Sequence, residues 1–95
     1  MYFVYILQCR DGSYYVGSTQ NVAERLEVHR SGKGPAFTAR RLPVRLAHQE
    51  SFATLEEAVR REKQWKGWSR AKKEALISRD LKLLSELAAC RGARQ

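Results

Sequence analysis

Cysteine is scarce and scattered: the chain has two, Cys9 and Cys90. Neither belongs to a CxxC pair, and neither has ligand-like spacing to His29 or His48. This argues against a disulfide framework or a structural zinc site and fits a reducing compartment. Long apolar runs are lacking as well. The stretch Tyr2 to Leu7 has no basic leader and is too short for a signal core or a membrane span. A soluble cytoplasmic protein with an unprocessed N-terminus is therefore expected. No repeat, low-complexity tract or linker breaks the sequence. Its 95 residues suit one domain with a modest core, which argues against deep pockets for large cofactors. Residues 1–90 are expected to form that domain and 91–95 to fray.

Acidic residues are few beside the basic ones, 10 Asp plus Glu against 18 Lys plus Arg, for a net charge of +8. Such a surplus suits a polyanionic partner. Charge alone does not separate DNA from RNA, ribosome or acidic lipid.

What is present reads as an α+β domain. Tyr2 to Gln8 is β-branched and aromatic, a strand; Asp11-Gly12 signals a hairpin; Ser13 to Ser18 is the return strand. Asn21 caps a helix with Glu24 three residues on, and Val22, Leu26 and His29 follow on one stripe. Residues 31–43 read as a loop carrying Lys33, Arg40 and Arg41. Val44 to Phe52 alternates, placing Val44, Leu46, His48, Glu50 and Phe52 on one side of a third strand. Thr54 and Glu57 cap a second helix with Leu55, Ala58, Val59, Glu62 and Trp65 on one stripe, ended by Gly67. Ser69 caps a third helix, and Leu81 to Ala89 reads as a fourth. The expectation is a three-stranded antiparallel sheet flanked by helices, in the order β-β-α-β-α-α-α.

Several residues sit oddly in that scheme. Glu62 lies on a core-facing stripe, where a carboxylate must reach solvent, pair with an arginine or hold a cation. Arg25 and His29 project together from one helix. Tyr5 and Tyr15 occupy facing strands. A two-residue turn at Asp11-Gly12 would put their rings on opposite faces. An odd-length connection over residues 9–13 would set Tyr5 opposite Gly17 with Tyr15 diagonal to it, and that register is the one expected. Gly17 would then leave room for a phosphate to approach the sheet.

Taken in order, these residues resemble a known family. Val4-Tyr5 and Tyr15-Val16-Gly17, ten residues apart, resemble the two halves of the GIY-YIG signature. Asn21 to Leu26 is similar to that family's helix opening with its arginine, His29 stands where it carries His or Tyr, and Glu62 stands at its metal-binding glutamate. Trp65 to Lys73 is similar to the small stand-alone bacterial subgroup. The likeness covers about residues 2–80. Phe3 replaces the first glycine, Val4 and Val16 replace isoleucines, and Ser18 stands where some relatives carry lysine. A lysine-assisted step there would fall to Lys33 or another base.

The resemblance implies a nuclease that hydrolyses DNA phosphodiester bonds with one divalent ion, Mg²⁺ or Mn²⁺, in DNA repair or processing. Preference for DNA over RNA rests on it alone. It implies Glu62 as metal ligand, Arg25 on a phosphate oxygen, and Tyr5 or Tyr15 as general base, with His29 orienting the tyrosine or accepting its proton. Gly17 and Asn21 would shape the site. Lys33, Arg40, Arg41, Lys63, Lys66, Arg70, Lys72 and Lys73 would meet backbone phosphates, giving affinity without base reading. Specificity would then be for DNA structure or come from a protein partner. Two other readings are open at this point: a nucleic-acid-binding module that keeps the fold without catalysis, and an interaction subunit docking through Leu81 to Leu87.

Overall fold

The computed structural model describes residues 1–78. Its elements are β1 (Tyr2–Cys9), β2 (Tyr14–Thr19), α1 (Val22–Arg30), α2 (Ala36–Ala39), β3 (Val44–Phe52), α3 (Leu55–Lys66) and α4 (Arg70–Ile77). The α+β class and the three-stranded antiparallel sheet are as expected. The order, β-β-α-α-β-α-α, differs from the sequence reading by α2, which lies inside the segment read as a loop. A single turn after Pro35 is too short to show helical periodicity, so nothing in the sequence pattern marks it. The helix read over 81–89 and the frayed end at 91–95 lie outside the described residues.

The sheet order is β2-β1-β3. That central position explains the unbroken apolar run of β1. Val4, Tyr5, Ile6 and Leu7 are all buried, because helices cover both faces. On one face Val4, Ile6 and Val16 pack with Ala58 and Trp65 of α3 and Leu76 of α4. On the other, Tyr5, Leu7 and Cys9 pack with Val44, Tyr15 and Leu26 of α1.

The hairpin has the odd register: Tyr5 faces Gly17 and Leu7 faces Tyr15. Asp11-Gly12 does not make a two-residue turn. Cys9 N–H donates to Ser13 O at 2.8 Å and Gly12 N–H to Cys9 O at 2.9 Å, while Gly12 takes a φ of 86°. This is a tight odd-length connection whose last residue adopts the left-handed conformation that glycine tolerates.

β3 needs a correction. Ile6 pairs with His48 but Leu7 pairs with Leu46, so Ala47 is an extra residue. One inserted residue inverts the alternation. Val44 and Leu46 therefore pack on the Tyr5 face, whereas Phe52 packs on the opposite face and His48 packs against Trp65 with ring centroids 5.4 Å apart. The five residues do not share a side.

The caps are as read. Asn21 Oδ1 accepts from Glu24 N–H at 3.0 Å, Thr54 Oγ1 from Glu57 N–H at 3.2 Å and Ser69 Oγ from Lys72 N–H at 3.2 Å. Gly67 ends α3. The stripe of α3 is narrower than expected: Ala58 and Trp65 are buried, but Leu55 is exposed.

Candidate active site

Three elements supply a hydrogen-bonded chain that runs from the Tyr5 hydroxyl through His29 to Thr38. The β1 backbone places the ring inside the Tyr5–Leu7 cluster, 2% exposed. Its oxygen lies 3.0 Å from Nε2 of His29, a fully buried residue of α1. The other ring nitrogen, Nδ1, lies 2.8 Å from Oγ1 of Thr38 on α2. Tyr15 completes an aromatic wall, with its ring centroid 6.5 Å from that of Tyr5 and 5.2 Å from that of His29. Arg25, one turn before His29 on α1, is exposed and acts on both groups through its charge.

The electrostatics set the protonation states. Burial pushes the Tyr5 phenol up to about 12, with Tyr15 and Glu62 adding to the rise and Arg25 opposing it. Burial, and then the Arg25 charge, hold the His29 imidazolium below its ordinary value of 6.5. At neutral pH the pair is therefore a protonated phenol beside a neutral imidazole.

Glu62, on α3, lies near enough to raise the Tyr5 phenol through its charge. Its side chain, 19% exposed, meets Lys66 Nζ at 2.7 Å through Oε2, and Ser18 Oγ donates to Oε1 at 2.8 Å. Burial raises the carboxyl, but hydrogen bonds from Lys66 and Ser18 outweigh it and hold the pKa below 4.5. Glu62 is thus ionised at neutral pH.

Gly17 joins the two halves. A Cβ there would lie 2.5 Å from the Tyr5 hydroxyl oxygen, 2.7 Å from Cζ and 3.1 Å from Tyr15 Cε2. The space expected for a phosphate is therefore filled by the Tyr5 hydroxyl, which crosses under the edge strand at its one position without a side chain. Gly17→Ala is expected to cost about 1–3 kcal/mol through overpacking, since the buried Tyr5 ring has little room to retreat. Urea denaturation checks it, and an unchanged midpoint would show that the neighbouring rings relax freely.

Among the described residues no group of three or more His, Cys, Asp or Glu side chains gathers. The acidic equipment of the site is the single carboxylate of Glu62. Residues 1–75 match the GIY-YIG catalytic domain.

The chain belongs to the GIY-YIG family. Among its relatives is a UPF0213 protein of Streptococcus pneumoniae, 46% identical over 85 residues, covering 87% of this chain and 86% of that one. A UPF0213 protein of Halobacterium salinarum is 49% identical over 77 residues, 81% of this chain and 100% of its own. The solution structure of a UPF0213 protein from Bacillus halodurans, 48% identical, covers 82% of this chain and 84% of its own with a TM-score of 0.54. The GIY-YIG catalytic domain is a nuclease fold.

Of the residues singled out in the sequence, Tyr5, Tyr15, Gly17 and His29 pack together, Arg25 acts on Tyr5 and His29 through its charge, Glu62 is bonded to Ser18 of β2 and Asn21 caps α1. The cations spread more widely. Lys33, Arg40 and Lys63 are exposed. Arg41 pairs with Asp11 at 3.1 Å and stacks 4.0 Å over Phe37. Arg70 pairs with Glu74 at 2.8 Å. Lys72 is buried, its Nζ 4.5 Å over the Trp68 ring, so it does not form part of the surface charge. Lys66 and Lys73 line a groove of about 230 Å³ with Tyr15 and Phe37. Two neighbours of these residues escape the sequence. Thr38 lies in the segment read as a loop and meets His29 only in the folded chain, and Ser18, notable as the residue in a lysine's place, is bonded to Glu62.

Proposed function

We propose that this protein is a cytoplasmic endonuclease that hydrolyses DNA phosphodiester bonds with one divalent ion, Mg²⁺ or Mn²⁺. The observation that carries the reading is the buried Tyr5–His29 hydrogen bond, with an ionised Glu62 near enough to act on the phenol through its charge. A binding module needs only the basic surface. It has no use for a phenol buried at 2% exposure and aimed at a neutral imidazole.

The donor set fits a divalent ion. Glu62 is ionised and already carries a cation, the Lys66 ammonium. Mg²⁺ needs as little as one carboxylate when water and phosphate oxygens supply the rest. Glu62 would hold the ion, with Ser18 orienting its carboxylate. The bound ion supplies Lewis-acid stabilisation of charge on the phosphate and the leaving 3′ oxygen.

The remaining work falls to side chains. With a pKa pushed up to about 12, Tyr5 is not a phenolate at neutral pH. It acts instead as a relay: its oxygen takes a proton from the attacking water while its own proton passes to His29 Nε2. Arg25 meets a non-bridging oxygen and neutralises the charge that grows there. Tyr15 backs the relay and faces the groove, where Lys66 and Lys73 would meet the DNA backbone. Exposed Lys33, Arg40 and Lys63 extend that surface. Such phosphate contacts carry no sequence information, so selectivity rests on DNA structure or on a protein partner.

Lys66 competes for the carboxylate that holds the ion. It is 57% exposed, so solvent screens the pair and limits its strength to about 1 kcal/mol or less. Lys66→Met should lower the Mg²⁺ concentration for half-maximal rate by about two- to fivefold. A rise instead would show that Lys66 does not compete with the ion for the carboxylate.

The reading is tested by incubating nicked, branched and single-stranded DNA with the protein in Mg²⁺ or Mn²⁺ and in EDTA. Cutting in metal alone is expected. Gel shifts of all three substrates without cutting in either metal would replace the nuclease with a binding module.

A further inference from the structure

The Tyr5 relay works only if His29 presents a lone pair, not a proton, at Nε2. The two imidazole tautomers differ in this respect, and the ring alone does not choose between them. A hydrogen bond on the far side of the ring makes the choice. Thr38 is fully buried, and its Oγ1 lies 2.8 Å from His29 Nδ1 and 3.1 Å from the Pro35 carbonyl oxygen. A carbonyl only accepts, and a hydroxyl has one proton. When Thr38 gives that proton to Pro35, its lone pairs face His29 and Nδ1 must be the donor. Nε2 is then bare and accepts from Tyr5.

The opposite arrangement makes fewer bonds. If Thr38 donated to Nδ1, the Thr38–Pro35 bond would break and Nε2–H would point at the Tyr5 oxygen. The phenol proton would then have no acceptor among the hydrogen bonds that the described residues make. Buried polar groups without partners are costly, so the first arrangement prevails. Local structure supports it. Pro35 precedes α2, and Thr38 lies one turn along it, which brings the hydroxyl back to the Pro35 carbonyl. Gly34 clears the other side: a Cβ there would stand 3.0 Å from Nδ1 and 3.3 Å from the His29 Cα. Residues 34–38 form a cradle for one imidazole edge.

We propose that Thr38 is a positioning residue that fixes His29 as the Nδ1–H tautomer, so that Nε2 receives the Tyr5 proton. Its catalytic meaning rests on the nuclease reading; the tautomer does not. The test is ¹⁵N-detected NMR of the full chain labelled at histidine, without DNA or metal, at a pH where His29 is neutral. Wild type should show a protonated Nδ1 and a bare Nε2. Thr38→Val, similar in shape but without the hydroxyl, should give the other tautomer or a mixture. Thr38→Ser, which keeps the hydroxyl, should restore the wild-type pattern. In cleavage, Thr38→Val should lower kcat about tenfold or more with KM for DNA unchanged, and Thr38→Ser should recover it. An Nε2–H tautomer in wild type overturns the proposal, as does an unchanged tautomer in a folded Thr38→Val protein. The Nδ1–H tautomer in a protein that cuts no DNA would uphold the clamp and remove the nuclease reading instead.

Discussion

Glu62→Gln is expected to lower the cleavage rate on the order of 10³-fold at fixed Mg²⁺, the scale of losing several kcal/mol of metal stabilisation. The substitution keeps the shape of the side chain and lets Ser18 go on donating to an amide oxygen. It removes the charge that makes the site a cation ligand. Folding should hardly change. The substitution also breaks the ion pair with Lys66, but that lysine is itself 57% exposed, and such a pair contributes about 1 kcal/mol or less. A melting temperature lowered by no more than about 4–8 °C is consistent with that scale for a domain of this size. A mutant that keeps its fold and its DNA affinity but no longer cuts separates chemistry from architecture.

Tyr5→Phe should have the next largest effect, a fall in kcat of about 10²–10⁴-fold, the range for losing a general base. Tyr5 is 2% exposed, so its hydroxyl contributes little to DNA affinity and KM should hold. The pH dependence carries a further signature. Burial and Arg25 hold the His29 pKa below 6.5, so the imidazole is neutral and ready to accept at pH 7. As pH falls through that lowered pKa the imidazole protonates, the acceptor disappears, and the wild-type rate should fall. The residual rate of Tyr5→Phe should lack that acid limb above the range where carboxylates titrate. A variant with the wild-type rate at pH 7 would place the base elsewhere, with Tyr15 the first alternative.

Much of the fold was legible because its signals are local. A β-branched and aromatic run marked β1 as a strand, and Asn21, Thr54 and Ser69 marked helix starts. The register followed from requiring Tyr5 and Tyr15 to share a face, which forced an odd connection. Elements that depend on distant partners were not legible. The bulge at Ala47 inverts half of β3, yet Ala47 looks like any alternating position. The turn of helix at 36–39 is shorter than its own period.

The site divides the same way. Tyr5, Arg25, His29 and Glu62 stood out because tyrosine, arginine, histidine and glutamate in that order carry chemistry. Thr38 and Ser18 act through hydrogen bonds that exist only once the chain has folded. Gly17 was singled out, but for the wrong occupant: its missing Cβ admits the Tyr5 hydroxyl rather than a phosphate. Lys72 read as one more surface cation, and only the tertiary packing buries it against Trp68.

The most direct measurement is single-turnover cleavage of end-labelled DNA across a Mg²⁺ titration, with wild type and Glu62→Gln side by side and EDTA as the zero point. The account predicts a wild-type rate that rises from nothing and saturates with metal, while Glu62→Gln stays near baseline throughout. Equal cutting by the two proteins, or wild-type cutting in EDTA, would contradict it.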